Sequence, residues 1–234
     1  HASVLMAAAV VESQGLTKTF GATPVLREVG LRLFAGTAAM IIGGNGAGKS
    51  TLLRIFAGLS QPSAGQVLIF GNDSRSLSAR YRRRIGMLTH QSWLYPNLSA
   101  RENLEFYAQL YGLADPAGIA AKWIEQIGLR ASAGEMVRGF SRGMEQRLSL
   151  ARAMINAPEL LLLDEPFAAL DADGVGRATG LIRAQIERGC AVLITAHAVL
   201  ELGIEAERYQ IVRGRVTPYQ DESRRGRLRS LLGV

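Results

Sequence analysis

Apolar and polar positions change rhythm twice along this chain. Up to about residue 70 the apolar residues come in short runs rich in β-branched and aromatic types, broken by Gly and Pro. This pattern predicts strands over Val10 to Leu16, Val25 to Phe34 and Gln66 to Phe70. Thr37 to Ile42 is a continuous apolar run that ends in a glycine-rich turn, as a buried strand would. A helix is predicted from Lys49 to Ala57, stopping near Gly58. From Gln91 to Ala157 the pattern turns helical. Ser99 followed by Glu102 forms a capping-box signal for a helix over Ala100 to Tyr111. Further helices are predicted over Pro116 to Ile127 and Arg142 to Asn156, the last halted by Pro158. Strand and helix then alternate: Leu160 to Leu163, Val175 to Glu187, Ala191 to Thr195. Such alternation implies a parallel sheet with helices on its faces. The expected architecture is one α/β core interrupted by a helical insertion.

Composition narrows the class. With 234 residues, 48% of them hydrophobic and only 20% charged, the chain can bury a sizeable core. The net charge is +7, and Lys18, Lys49 and Lys122 are the only lysines, so the basic character is arginine. The arginines are not gathered on one helix face, so a solvated surface is expected and nucleic acid is not expected as a partner. Arg80 to Arg84 is read the same way. A lone cysteine, Cys190, excludes a disulfide framework and sits in an apolar run, where an inert core thiol is expected. No apolar run approaches the ~20 residues of a membrane helix. Ala2 to Val11 lacks a basic leader, so it is not read as a signal peptide, and Met6 is the expected native start. A cytoplasmic protein is expected.

Two motifs carry chemistry. Gly43-Gly44-Asn45-Gly46-Ala47-Gly48-Lys49-Ser50, followed by Thr51, fits the phosphate-loop pattern G-x-x-x-x-G-K-[ST]. Glycines let backbone N–H groups converge on an anion, and the following helix adds its positive end. Lys49 is placed to reach β- and γ-phosphates, and the Ser50 hydroxyl to ligate Mg2+. Leu160-Leu161-Leu162-Leu163-Asp164-Glu165 describes a buried strand delivering two carboxylates to the carboxyl end of the sheet, where α/β ligands sit. Asp164 would hold Mg2+ through its water shell, and Glu165 would polarise an attacking water.

A third segment, Phe140-Ser141-Arg142-Gly143-Met144 before Glu145-Gln146-Arg147, resembles the signature of the ABC ATPase family. That resemblance spans nearly the whole chain. It implies ATP hydrolysis and a P-loop NTPase (RecA-like) fold: a parallel-sheet core, an N-terminal antiparallel β lobe and an inserted helical subdomain. The single domain would comprise a core of residues 1–90 and 158–220, a helical lobe of 91–157 and a basic tail of 221–234. On the matching positions it implies adenine stacking for Phe20, a catalytic and Mg2+-facing glutamine at Gln91, and a γ-phosphate contact for His197. Asp171 lies in the loop after the carboxylates. Ser141 and Gly143 would serve the nucleotide held by a second ATPase subunit, in a head-to-tail homodimer. Family members of this size drive a separate transmembrane permease, which implies a peripheral place at the inner face of the membrane.

The chain departs from the family pattern. Gly44 stands where Pro is frequent, Arg142 and Met144 replace a signature Gly and Gln, and Ala198 follows His197 where Asp is common. These put the strength of the signature contacts in question. The Ser-Arg-Gly-Met and Thr-His-Gln forms, with Trp93 and Tyr95, resemble the haem-exporter ATPase of cytochrome c maturation. The alternative is a soluble ABC ATPase of the iron–sulfur cluster assembly type, with no membrane partner. His90, without support of its own, is read as a structural histidine. Trp93 and Tyr95 are read as lobe packing on a surface that, in this family, receives a helix of the membrane partner.

Overall fold

The computed structural model describes residues 8–199, 201 and 203–220, so the Arg-rich stretch from Ser223 to Val234 lies outside the described residues. Two sheets share the work. β1 (Ala9–Phe20) and β2 (Thr23–Phe34) form a hairpin whose turn uses Gly21 at φ 57°. β3 (Ala38–Ile42) leaves that sheet and leads through the glycine-rich loop into α1 (Lys49–Phe56). β4 (Ala64–Ile69) and β5 (Asn72–Asp73) complete an antiparallel sheet in the order β2-β1-β4-β5. The short α2 (Ala79–Arg82) and β6 (Ile85–Leu88) precede three helices, α3 (Ala100–Leu110), α4 (Pro116–Gln126) and α5 (Arg142–Met154). Then β7 (Leu160–Asp164), α6 (Ala172–Glu187), β8 (Ala191–Ala196) and the hairpin β9 (Glu207–Val212) and β10 (Arg215–Pro218) finish the second sheet. Its order is β10-β9-β3-β8-β7-β6, parallel from β9 to β6.

Burial explains the placement. β3, β7 and β8 are buried at every residue, as a parallel strand covered on both faces must be. One face packs with α1 and the apolar face of the antiparallel sheet in a single cluster that includes Leu16, Leu26, Val67 and Phe56. The other face meets α5 and α6 through Leu150, Met154, Ala178 and Ile182. The helices α3 to α5 keep a cluster of their own around Leu104, Ile124, Ile127 and Leu148. The Ser99 capping box forms in both directions, Ser99 Oγ accepting from Glu102 N–H and Glu102 accepting from Ser99 N–H.

Several short elements escape the periodicity, among them β5, α2, β6, β9 and β10. β6 has four residues, too few to show a pattern, and follows an arginine run. β10 is the edge strand and β9 lies between it and β3; both carry charged residues and are joined by Arg213 and Gly214, both at positive φ. The arginine run is not merely solvated. Arg84 pairs with Glu159 and lies 4.0 Å over the Phe70 ring, and Arg82 donates to the Leu77 carbonyl. Their long stems cover apolar surface while their heads find acceptors. No helix among the described residues is long and apolar enough to cross a membrane.

Candidate functional site

The glycine-rich loop joins β3 to α1 at the carboxyl edge of the parallel sheet. Two of its glycines are dictated by geometry. Gly48 has φ 105°, and a Cβ there would lie 2.9 Å from the Leu26 side chain. A Cβ on Gly43 would lie 2.5 Å from Ile211 of β9. Gly44 meets nothing within 4 Å, so its departure from the family pattern costs no packing. Gly44, Asn45, Gly46, Ala47, Gly48, Lys49, Ser50 and Thr51 line one cavity together with Val25, His90 and Glu165. Its floor is the N-terminus of α1, which has no side-chain cap, so its N–H groups face the cavity.

Lys49 is buried, at 5% exposure. Its ammonium donates to the Gly43 and Gly44 carbonyls and lies 3.2 Å from Glu165 Oε1. The other Glu165 oxygen lies 2.8 Å from His197 Nε2. Glu165 sits at φ 52°, a left-handed conformation that few non-glycine residues adopt. That backbone is fixed from both sides. Its N–H donates to Thr195, and its carbonyl accepts from Gln146 of α5, which also reaches the Pro166 carbonyl.

Asp164 ends β7 almost fully buried. One of its oxygens accepts from the Ser50 hydroxyl at 2.6 Å and the other from Thr195 at 2.7 Å. Ser50, His90, Gln91 and Asp164 line a common cavity of about 250 Å³. A hydroxyl, a carboxylate and an amide at the mouth of a phosphate cradle are hard oxygen donors. Mg2+ favours such a set, keeping waters and taking one or two carboxylates plus phosphate oxygens. The residues fit that ion, and it would neutralise phosphate charge there.

The remaining predicted residues stand apart. Ser141 caps α5, accepting from Met144 N–H. Gly143 presses α5 against the loop after Glu165, since a Cβ would lie 2.9 Å from the Ala169 carbonyl. Asp171 caps α6 by accepting from Gly174 N–H. None of these three lines the cavity around Lys49. Phe20 is 55% exposed at the β1–β2 hairpin, with the Lys18 ammonium 4.9 Å from its ring centre.

His90 corrects an expectation. Its side chain is 67% exposed and its Nε2 lies 3.7 Å from Asp164 Oδ2, at the cavity and not in the core. Its place beside Gln91 carries no pattern of its own, and only the fold brings it to Asp164. Arg152 was not singled out either. It is buried, donates to the Met87 and Ser92 carbonyls, and lies 5.1 Å from the Trp93 ring centre. Burial pushes its pKa down. It ties α5 to the loop that carries Gln91.

The comparison with known families decides the class. The model described as "ABC transporter" matches residues 26–168. The chain belongs to the ABC transporter family. The bacitracin transport ATP-binding protein BcrA of Bacillus licheniformis is 35% identical over 194 residues, 82% of this chain and 63% of the relative. The chain thus spans less than two thirds of that relative's length. The lantibiotic transport ATP-binding protein SrtF of Streptococcus pyogenes is 33% identical over 193 residues, 82% of each chain. Among solved structures, a dimeric post-hydrolysis state of the ATP-binding cassette MJ0796 bound to ADP and Pi superposes with a TM-score of 0.80. It is 26% identical over 90% of this chain and 99% of that one. The fold of this chain is therefore a P-loop NTPase core with an antiparallel β lobe and a helical lobe.

Proposed function

We propose that this chain binds and hydrolyses ATP as the motor subunit of an exporter whose transmembrane permease is a separate polypeptide. The observation that carries the reading is the cavity in which the phosphate loop, Lys49 and Glu165 converge, with Asp164 and Ser50 at its mouth. The nucleotide phosphates would take over the Lys49 ammonium and the α1 N–H groups. Glu165, with His197 2.8 Å away, would orient and deprotonate the attacking water. Gln91 would sense the γ-phosphate and Mg2+ from the loop that leads into the helical lobe. Phe20 would stack on adenine.

Ser141, Gly143 and Asp171 lie outside the Lys49 cavity, which supports their use on the nucleotide of a second, head-to-tail copy. The helical lobe, residues 91–157, would face the permease and hold the chain at the inner face of the membrane. The names of the relatives support a role in transport, of bacitracin for one and lantibiotic for the other. Neither name supports haem or a soluble cluster-assembly role, and no residue of this chain selects a cargo, which would touch the permease. Affinity capture of the native protein from detergent-solubilised membranes tests the reading. A polytopic membrane protein in stoichiometric yield is expected. Recovery of a soluble scaffold in its place would sink it.

A further inference from the structure

We propose that His90 makes the cation corner of this site a place for a borderline divalent ion, such as Zn2+ or Co2+. The donors are His90 Nε2 and Asp164, with Glu165 as a third that would exchange one of its present partners, Lys49 or His197, for the ion. This rests on the reading of Asp164 as the carboxylate that faces the divalent cation.

The imidazole is placed as a donor and not as packing. It makes no side-chain hydrogen bond among the described residues, and its nearest charged neighbour is Asp164 Oδ2 at 3.7 Å. That distance is too long for a hydrogen bond. It suits two ligands on one ion, because metal–nitrogen and metal–oxygen bonds of about 2.0–2.2 Å subtend about 120° across it. One donor atom from each of His90, Asp164 and Glu165 lies within 4.8 Å of the others. The three line a cavity of about 310 Å³ that also carries Ser149. Ser149 is buried, at 1% exposure, and its hydroxyl has no partner among the described residues. A buried hydroxyl left unpaired costs free energy, and an ion's water shell in this cavity would satisfy it.

The donor chemistry sets the class of ion. Asp164 and Ser50 alone offer oxygen, which suits Mg2+. An imidazole adds little for Mg2+ but strongly favours Zn2+, Co2+ or Ni2+. An ion held by His90 would occupy Asp164 and compete with Mg2+ there. It would also bridge the loop carrying Gln91 to the end of β7.

The test uses the metal alone. Zn2+ is titrated calorimetrically into the nucleotide-free chain, and Co2+ is followed by quenching of Trp93, which lines a cavity with His90. The wild type should bind Zn2+, and His90→Ala and His90→Gln should each weaken it by about tenfold or more. His197→Ala, which frees an oxygen of Glu165, should bind Zn2+ at least as tightly as the wild type, and His1 is common to all four proteins. The exposed position of His90 predicts unchanged melting for its variants. Wild-type Zn2+ affinity in His90→Ala would overturn the inference, as would loss on His197→Ala. Mg2+–ATP binding, measured separately, keeps the two readings apart. A wild type that binds Mg2+–ATP but no Zn2+ sinks this inference alone. One that binds Zn2+ but no Mg2+–ATP sinks the motor reading alone.

Discussion

At the scale of single residues, the site is a set of mutual constraints around Lys49 and Glu165. The Lys49 ammonium has three polar oxygen neighbours, the Gly43 and Gly44 carbonyls of the loop and the Glu165 carboxylate after β7. Lys49→Ala should therefore leave the fold intact by circular dichroism. It should weaken ATP binding by one to two orders of magnitude, because a hydrogen bond to a charged group contributes about 1.5–3 kcal/mol. Wild-type affinity in a fluorescent-nucleotide titration would refute the cradle. Glu165→Gln keeps the shape of the side chain but cannot accept a proton. It should bind ATP normally and hydrolyse it about 10²–10⁴ times more slowly, accumulating as an ATP-bound dimer. Phosphate release at the wild-type rate would remove Glu165 from its role. Lys49, Ser50, Asp164, Glu165 and His197 were legible in sequence because each stands at a fixed offset in a motif. His90 was not, because a histidine beside a glutamine has no pattern of its own. Only the fold brings it to Asp164.

Among the elements, the long and periodic ones were legible to within a few residues. Leu160 to Leu163 reads as a buried strand because a four-residue apolar run that ends in an acid suits a parallel strand covered on both faces, each leucine contributing about 1.5–3 kcal/mol. β1 extends further than its apolar pattern, to Phe20, through register shifts around Gly15 that break the alternation. β6 and the β9–β10 hairpin depend on neighbours that supply the pairing, so their own residues carry little signal. Cys190 tests the packing of β8, which it precedes. Burial pushes its thiol up to about 12 from an ordinary value of 9.0, with Glu159 adding to the rise. The folded pKa is raised, so its stabilising share is full below pH 9 and is lost as pH climbs through about 12. A thiol reagent at pH 8 should leave the native chain unlabelled and label one site on unfolding. Rapid labelling of the native protein would contradict the packing of this strand.

At the scale of the whole molecule, the signature serine and the phosphate loop stand apart. Ser141 caps α5 in the helical lobe, and Lys49 begins α1 in the core, with no shared cavity. A two-fold axis between head-to-tail copies would let each Ser141 face the partner's nucleotide. Mixing Lys49→Ala subunits with Ser141→Arg subunits tests this. In a mixed dimer one site would carry both defects and the other neither, so part of the ATPase activity should return. A mixture as inactive as its parents, with mixed dimers present, would count against shared sites. The sequence by itself determined the chemistry of the phosphate loop, the two carboxylates and the alternation of the core. Those are local: they depend on residue type at fixed spacing and on burial period. Tertiary structure alone decided that Ser50 meets Asp164 across 114 positions, that Gln146 and Thr195 hold Glu165 in a left-handed turn, and that His90 faces the carboxylates. Those contacts join segments far apart in the chain, and the sheet order that brings them together is set by packing, which no spacing in the sequence encodes.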